Sequence, residues 1–135
     1  MIIAFDVHGV LDTYEHFRTM LSCFRKLPDY SIYLISGSLF DSEMQNVLGE
    51  HNIKFDKYFS ITQELLSANP KLINWVNGKP YAKEYLWDSM KAIICQREKV
   101  DILYDDSPKY GQYFRGIDTT YIEVHNAIWY ESGRC

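Results

Sequence analysis

The stretch FDVHGVLDT, Phe5 to Thr13, follows directly on the apolar residues Ile2, Ile3 and Ala4. A short, continuously apolar run that stops abruptly at a polar cluster reads as a strand buried on both faces, as in the middle of a parallel sheet. Asp6 and His8 therefore stand at the carboxyl end of the first predicted strand.

The residues beyond Thr13 repeat this arrangement. Phe17, Met20, Leu21 and Phe24 recur at helical spacing until Pro28. Ile32 to Ile35 give a second strand, closed by Ser36-Gly37-Ser38. Leu39, Phe40, Met44, Val47 and Leu48 predict a second helix, with Asp41 and Glu43 near its start, where carboxylates suit the helix dipole; it ends within Gly49 to Asn52. KFDKYFSI, Lys54 to Ile61, is a third strand. Tyr85, Leu86, Met90, Ile93 and Ile94 predict a third helix running to about Arg97. VDILYDD, Val100 to Asp106, and TTYIEV, Thr119 to Val124, are the fourth and fifth strands.

Alternating strands and helices call for a parallel sheet covered on both faces. The expected fold is α/β: a Rossmann-like three-layer α/β/α domain over residues 1–135, with a mainly parallel five-stranded sheet. The segment LINWVNGKPYA departs from the alternation. Asn77-Gly78 between two apolar arms is a hairpin signal, and Pro80 confines the second arm to an edge, so a small surface flap is expected there.

Composition narrows the function classes. The chain has 135 residues, 47% of them hydrophobic, a net charge of -4 and a pI near 5.5. Its charges form no long runs and so give no footprint for duplex nucleic acid or an anionic membrane surface. No stretch approaches the ~18 apolar residues of a membrane span, and the N-terminus lacks the pattern of a signal peptide. A cytoplasmic location is expected. Cys23, Cys95 and Cys135 are far apart with no CxxC, which suits thiols in a reducing compartment.

Ligands of open parallel sheets gather at the carboxyl ends of the strands. Those ends carry Asp6 and His8, then Ser36 and Gly37, then Asp105 and Asp106. Such residue types fit phosphoryl transfer: a carboxylate to attack phosphorus, paired acids to hold a hard cation through oxygen, and a hydroxyl with backbone N–H groups to hold phosphate oxygens. A receiver domain shares several of these types, but its acidic pair follows the first strand, whereas here the pair follows the fourth. The aromatics of YDDSPKYGQYFRG, Tyr104, Tyr110, Tyr113 and Phe114, sit at spacings that fit core or rim packing better than a base-stacking platform.

In these features the chain resembles the haloacid dehalogenase superfamily of phosphohydrolases, in its small uncapped form. FDVHGVLDT is similar to the first motif, SIYLISGS to the second and DILYDDSP to the fourth, in the family's order across nearly the whole chain. The third motif is a lysine, and three lysines precede the last of these strands: Lys79, Lys83 and Lys91. KAIICQREKVDILYDDS, with Lys91 14 positions before Asp105, resembles a pattern of small members, so Lys91 is the choice and Lys83 the runner-up.

The resemblance implies a Mg²⁺-dependent phosphohydrolase that forms an aspartyl-phosphate on Asp6 from a phosphate monoester, with a nucleotide among the candidates. It implies Asp6, His8 and Lys91 as catalytic, Ser36, Gly37 and Lys91 as phosphate-binding, and Asp6, His8, Asp105 and Asp106 as metal ligands, His8 through its backbone carbonyl. The expected partner is a small phosphorylated substrate, with no duplex nucleic acid and no membrane. The chain departs from the family at His8, where a second Asp is usual. Histidine is itself the commonest general acid and base, with an ordinary pKa of about 6.5. The alternative is a phosphate- or nucleotide-binding module without turnover. Asp105→Asn is expected to weaken Mg²⁺ binding while leaving apo stability level or raised.

Overall fold

The computed structural model describes residues 1–125. Cys135 lies outside the described residues.

The chain runs β1 (Ile2–Phe5), α1 (Glu15–Arg25), β2 (Ser31–Ser36), α2 (Ser42–Glu50), β3 (Lys57–Ser60), α3 (Ile61–Ala68), β4 (Asn74–Val76), β5 (Lys79–Tyr81), α4 (Glu84–Glu98), β6 (Ile102–Asp105) and β7 (Thr120–Glu123). Five strands form one parallel sheet in the order β3-β2-β1-β6-β7. The expected α/β Rossmann-like arrangement is present. The chain builds outward from β1 through β2 to β3, then returns to place β6 on the other side of β1. The order thus reverses at β1, and a crevice opens beyond the carboxyl ends of β1 and β6, as at any such switch point.

Alternation of side chains along the strands divides the core into two faces. Ile3, Phe5, Ile32 and Leu34 point to one face, where they meet Leu21 of α1 with Met44 and Leu48 of α2. Ala4, Ile35 and Leu103 point to the other, against Ala92, Ile94 and Cys95 of α4. Most of these side chains are fully buried, and full burial of each large one is worth about 1.5–3 kcal/mol. Tyr110, Tyr113 and Phe114 join the second face, so the aromatic cluster after β6 is packing, as its spacing implies.

The hairpin of β4 and β5 is present, with Trp75 opposite Pro80. Asn77 and Gly78 both adopt positive φ, 51° and 75°, as a two-residue hairpin turn requires. The element absent from the sequence reading is α3. Ile61 and Leu65 recur one turn apart and pack with Ile73, Leu86 and Trp87, so this helix supports the hairpin against α4. Its start carries a Ser-x-x-Gln signature: the Ser60 hydroxyl accepts from the Gln63 N–H at 3.1 Å. The predicted third strand is correspondingly shorter than Lys54 to Ile61, ending where Ser60 caps the helix.

Candidate functional site

The four groups that end β1, β2, α4's inward face and β6 converge on one cleft of about 560 Å³. Its floor is an ionic cluster. Lys91, 2% exposed, reaches from α4 under the sheet ends and places Nζ 3.0 Å from Asp6 Oδ1 and 2.5 Å from Asp105 Oδ2. The ring of Tyr110 lies 5.4 Å from the same nitrogen. Of the three candidate lysines, Lys91 is the one bonded to the carboxylates; Lys79 lines the outer part of the cleft, on the hairpin, and Lys83 caps α4.

Asp6 is held at one oxygen only. Oδ1 accepts from the Val7 N–H at 2.9 Å as well as from Lys91, which leaves Oδ2 free of hydrogen bonds among the described residues. Burial pushes the Asp6 carboxyl up to about 7, with the Lys91 ammonium opposing that rise and the Asp105 charge adding to it. Lys91 itself is held well above the ordinary lysine range: burial favours its neutral form, but the two carboxylates outweigh burial. One buried cation thus serves two buried carboxylates, and removing it leaves both uncompensated. Lys91→Met is expected to lower apo stability by about 3–5 kcal/mol, the usual cost of breaking a buried pair. Urea unfolding checks this, and the deficit should narrow as pH falls through 7 and Asp6 takes up its proton.

Asp105 differs from Asp106. It is fully buried, accepting from Lys91 at Oδ2 and from the Ser107 N–H at Oδ1, 2.9 Å away. The expectation that Asp105→Asn leaves the apo fold level or more stable is therefore corrected, because the side chain is a structural partner of Lys91. Asp106 is exposed at the cleft, the better place to remove charge without loss of fold.

Ligand oxygens of Asp6, Asp105 and Asp106 lie within 4.8 Å of one another. An all-carboxylate, oxygen-only set on a rigid strand-end framework is the donor type that Mg²⁺ takes. Gly9 makes this arrangement possible. Its φ is +83°, and a Cβ there would fall 2.0 Å from Asp106 Oδ2. Gly9→Ala would strain the backbone by about 1–2 kcal/mol and force Asp106 aside. At least a tenfold loss of Mg²⁺ affinity by calorimetry is expected, since displacing one carboxylate of three costs about 1.4 kcal/mol or more.

His8 occupies the rim. Val7 to Leu11 form a wide turn closed by the Asp12 N–H donating to the Val7 carbonyl at 3.1 Å, and His8 within it keeps extended backbone angles, φ -71° and ψ 126°. The ring is half-exposed and its Nδ1 lies 2.8 Å from Asp12 Oδ2. Burial raises the Asp12 carboxyl, but hydrogen bonds from His8, Thr13 and the Gly9 N–H outweigh it and hold the group below its ordinary value. An ionised carboxylate has no proton to give, so Nδ1 carries the hydrogen and Nε2 is left for the cleft. Asp12 is the site residue that sequence reasoning missed.

Ser36 and Gly37 end β2 as expected. The Ser36 hydroxyl accepts from the Ser38 N–H at 3.2 Å, which curls the loop toward the cleft. The Gly37 carbonyl is taken by the Thr62 hydroxyl at 2.7 Å and the Thr62 N–H at 3.3 Å, tying the loop to α3. A Cβ on Gly37 would lie 2.7 Å from the Trp87 ring, so the indole can pack there only against glycine.

No protein-family model and no curated protein matches the sequence. Two chains of solved structures share the fold. One belongs to "Structure of Pnkp1/Rnl/Hen1 complex", with a TM-score of 0.62 and 16% identity over 91% of this chain and 45% of that chain. The other belongs to "Structure of the Pnkp1/Rnl/Hen1 RNA repair complex", with a TM-score of 0.63 and 16% identity over 91% and 42%. The present chain thus spans less than half the length of either. The expectation of a small phosphorylated substrate as the partner, with duplex nucleic acid excluded, is corrected by this finding, since the chains that share the fold come from an RNA repair complex. A net charge of -4 is a sum over the whole chain and does not report where the charges lie. Among the described residues no helix is long and apolar enough to cross a membrane. What the likeness shows at this identity is the α/β architecture.

Proposed function

We propose that this chain is a Mg²⁺-dependent phosphohydrolase of the haloacid dehalogenase type, acting on a phosphate monoester. The observation that carries the reading is Asp6 Oδ2: a carboxylate oxygen free at the floor of a cleft, while its twin is pinned by Lys91 and the Val7 N–H. A pinned carboxylate with one free oxygen is pre-oriented for in-line attack.

In this reaction His8 enters with both ring nitrogens protonated, Nδ1–H bonded to Asp12; Asp6 Oδ2 bonds to phosphorus as the bond from phosphorus to the ester oxygen breaks, and that oxygen takes the Nε2 proton. His8, held by Asp12, then accepts a proton from the water that attacks the aspartyl-phosphate, which frees phosphate and restores Asp6. Ser36 and the N–H groups after it, with Lys91 beneath, offset the charge on the phosphoryl oxygens. Mg²⁺, held by Asp6, Asp105, Asp106 and the His8 carbonyl, supplies further charge neutralisation there when bound. The likeness to chains of an RNA repair complex supports admitting phosphate monoesters carried on nucleic acid as substrates.

Phosphate release from a panel of monoesters, with Mg²⁺ and with excess chelator, tests the reading. Turnover that needs Mg²⁺ is expected. Mg²⁺ binding without turnover of any ester, terminally phosphorylated oligonucleotides included, would instead support a binding module.

A further inference from the structure

The hairpin of β4 and β5 contributes Trp75, Gly78, Lys79, Pro80 and Tyr81 to the lining of the cleft. Trp75 is 48% exposed at the cleft, and among the described residues its indole has no aromatic neighbour or hydrogen-bond partner. Lys79 stands on the adjoining strand, exposed and free of any ion pair among the described residues. Trp87, in contrast, is committed, packed on Gly37 with its Nε1–H donating to the Tyr110 hydroxyl at 3.0 Å. The opposite wall carries Asp41 and Glu43.

These walls give the cleft a direction. An anion that continues outward from the Asp6 floor is repelled on the α2 side and met by a cation and a free indole face on the hairpin side. A ring stacked on Trp75 and a second negative charge near Lys79 satisfy both groups together. The cleft of about 560 Å³ is much larger than a phosphate, and three-residue strands are too short to close over a ligand. That openness suits a chain that runs on beyond the site.

Resting on the phosphohydrolase reading of the Asp6 site, we propose that the hairpin is a base-stacking subsite for the end of a single-stranded nucleic acid. The terminal phosphate monoester occupies the Asp6 floor, the terminal base stacks on Trp75, and the next phosphodiester lies by Lys79. Stacking of a base on an aromatic side chain is sequence-tolerant, so the subsite recognises an end rather than a sequence.

The test compares three substrates, each with Mg²⁺: an alkyl phosphate lacking a ring, a nucleoside monophosphate, and a single-stranded oligoribonucleotide bearing a terminal phosphate at either end. The oligonucleotide should have the highest kcat/KM. Trp75→Ala should lower the ratio of its kcat/KM to that of the alkyl phosphate by roughly 5- to 150-fold, mainly through KM. Lys79→Gln should lower the oligonucleotide relative to the mononucleotide. Binding of the same fluorescent oligonucleotide to Asp6→Asn protein, with and without Trp75→Ala, separates this subsite from the chemistry. Binding that weakens with Trp75→Ala supports the subsite even where no ester turns over. Equal binding and an unchanged ratio overturn it while leaving hydrolysis of small esters intact, and a mononucleotide preferred over the oligonucleotide overturns the polymer end.

Discussion

Asp6→Asn is expected to reduce phosphate release on the order of 10⁴- to 10⁶-fold, the scale seen when a covalent nucleophile is removed. The amide keeps the shape of the side chain and can still meet Val7 and Lys91, but its free end is a poor nucleophile. The fold should not suffer. Burial raises the Asp6 pKa from 3.8 to about 7, so in the apo protein the charged form is disfavoured by folding. A carboxyl raised in this way favours folding at low pH and loses that advantage as pH climbs from about 4 to 7. The Asn variant should therefore match the wild type below pH 4 and equal or exceed it in apo stability above pH 7, measured by urea unfolding in chelator. A large loss of apo stability above pH 7 would make Asp6 a structural partner of Lys91 first and a nucleophile second.

The second large effect concerns His8. A positioned acid contributes about 10²- to 10⁴-fold where the leaving group needs a proton, and little where it does not. His8→Ala should therefore damage turnover of alkyl phosphates by that factor and spare aryl phosphates with a nitrophenolate leaving group. Asp12→Asn keeps the imidazole but disturbs the partner of Nδ1, so its loss should be smaller and follow the same leaving-group dependence. His8→Asp, which restores the usual family residue, should retain activity on both classes. Equal losses on alkyl and aryl esters would remove His8 from proton transfer and leave its backbone carbonyl as its contribution.

The sequence shows these residues where local pattern and chemistry coincide. Asp6, Ser36 and Asp105 each terminate an apolar strand, and a buried parallel strand can end in polar residues only where its carboxyl end opens to solvent or ligand. Asn77-Gly78 was legible because a two-residue hairpin turn needs positive φ at both positions. Lys91 was legible only by analogy, since its helical face also holds apolar residues; its partners come from β1 and β6, which local periodicity does not contain.

Helix α3 escaped because eight residues give barely two turns, and TQE interrupts the apolar spacing that identified the longer helices. The Ser60-Ile-Thr-Gln63 capping pattern was present but merged with the end of a β-rich run. Asp12 escaped for another reason: loop geometry alone brings its carboxylate to the His8 ring. The net charge was silent about the cleft because a sum carries no positions: Asp41, Glu43 and Lys79, of opposite sign, line the same cleft.

The central claim is that Asp6 becomes covalently phosphorylated. Wild-type protein with Mg²⁺ and a monoester that turns over, quenched in acid in the steady state, reduced with borohydride and mapped by mass spectrometry, tests it directly. The account predicts conversion of residue 6 to homoserine, the reduction product of an aspartyl-phosphate, and no such conversion without substrate or in Asp6→Asn protein. Rapid turnover with residue 6 unmodified would contradict it.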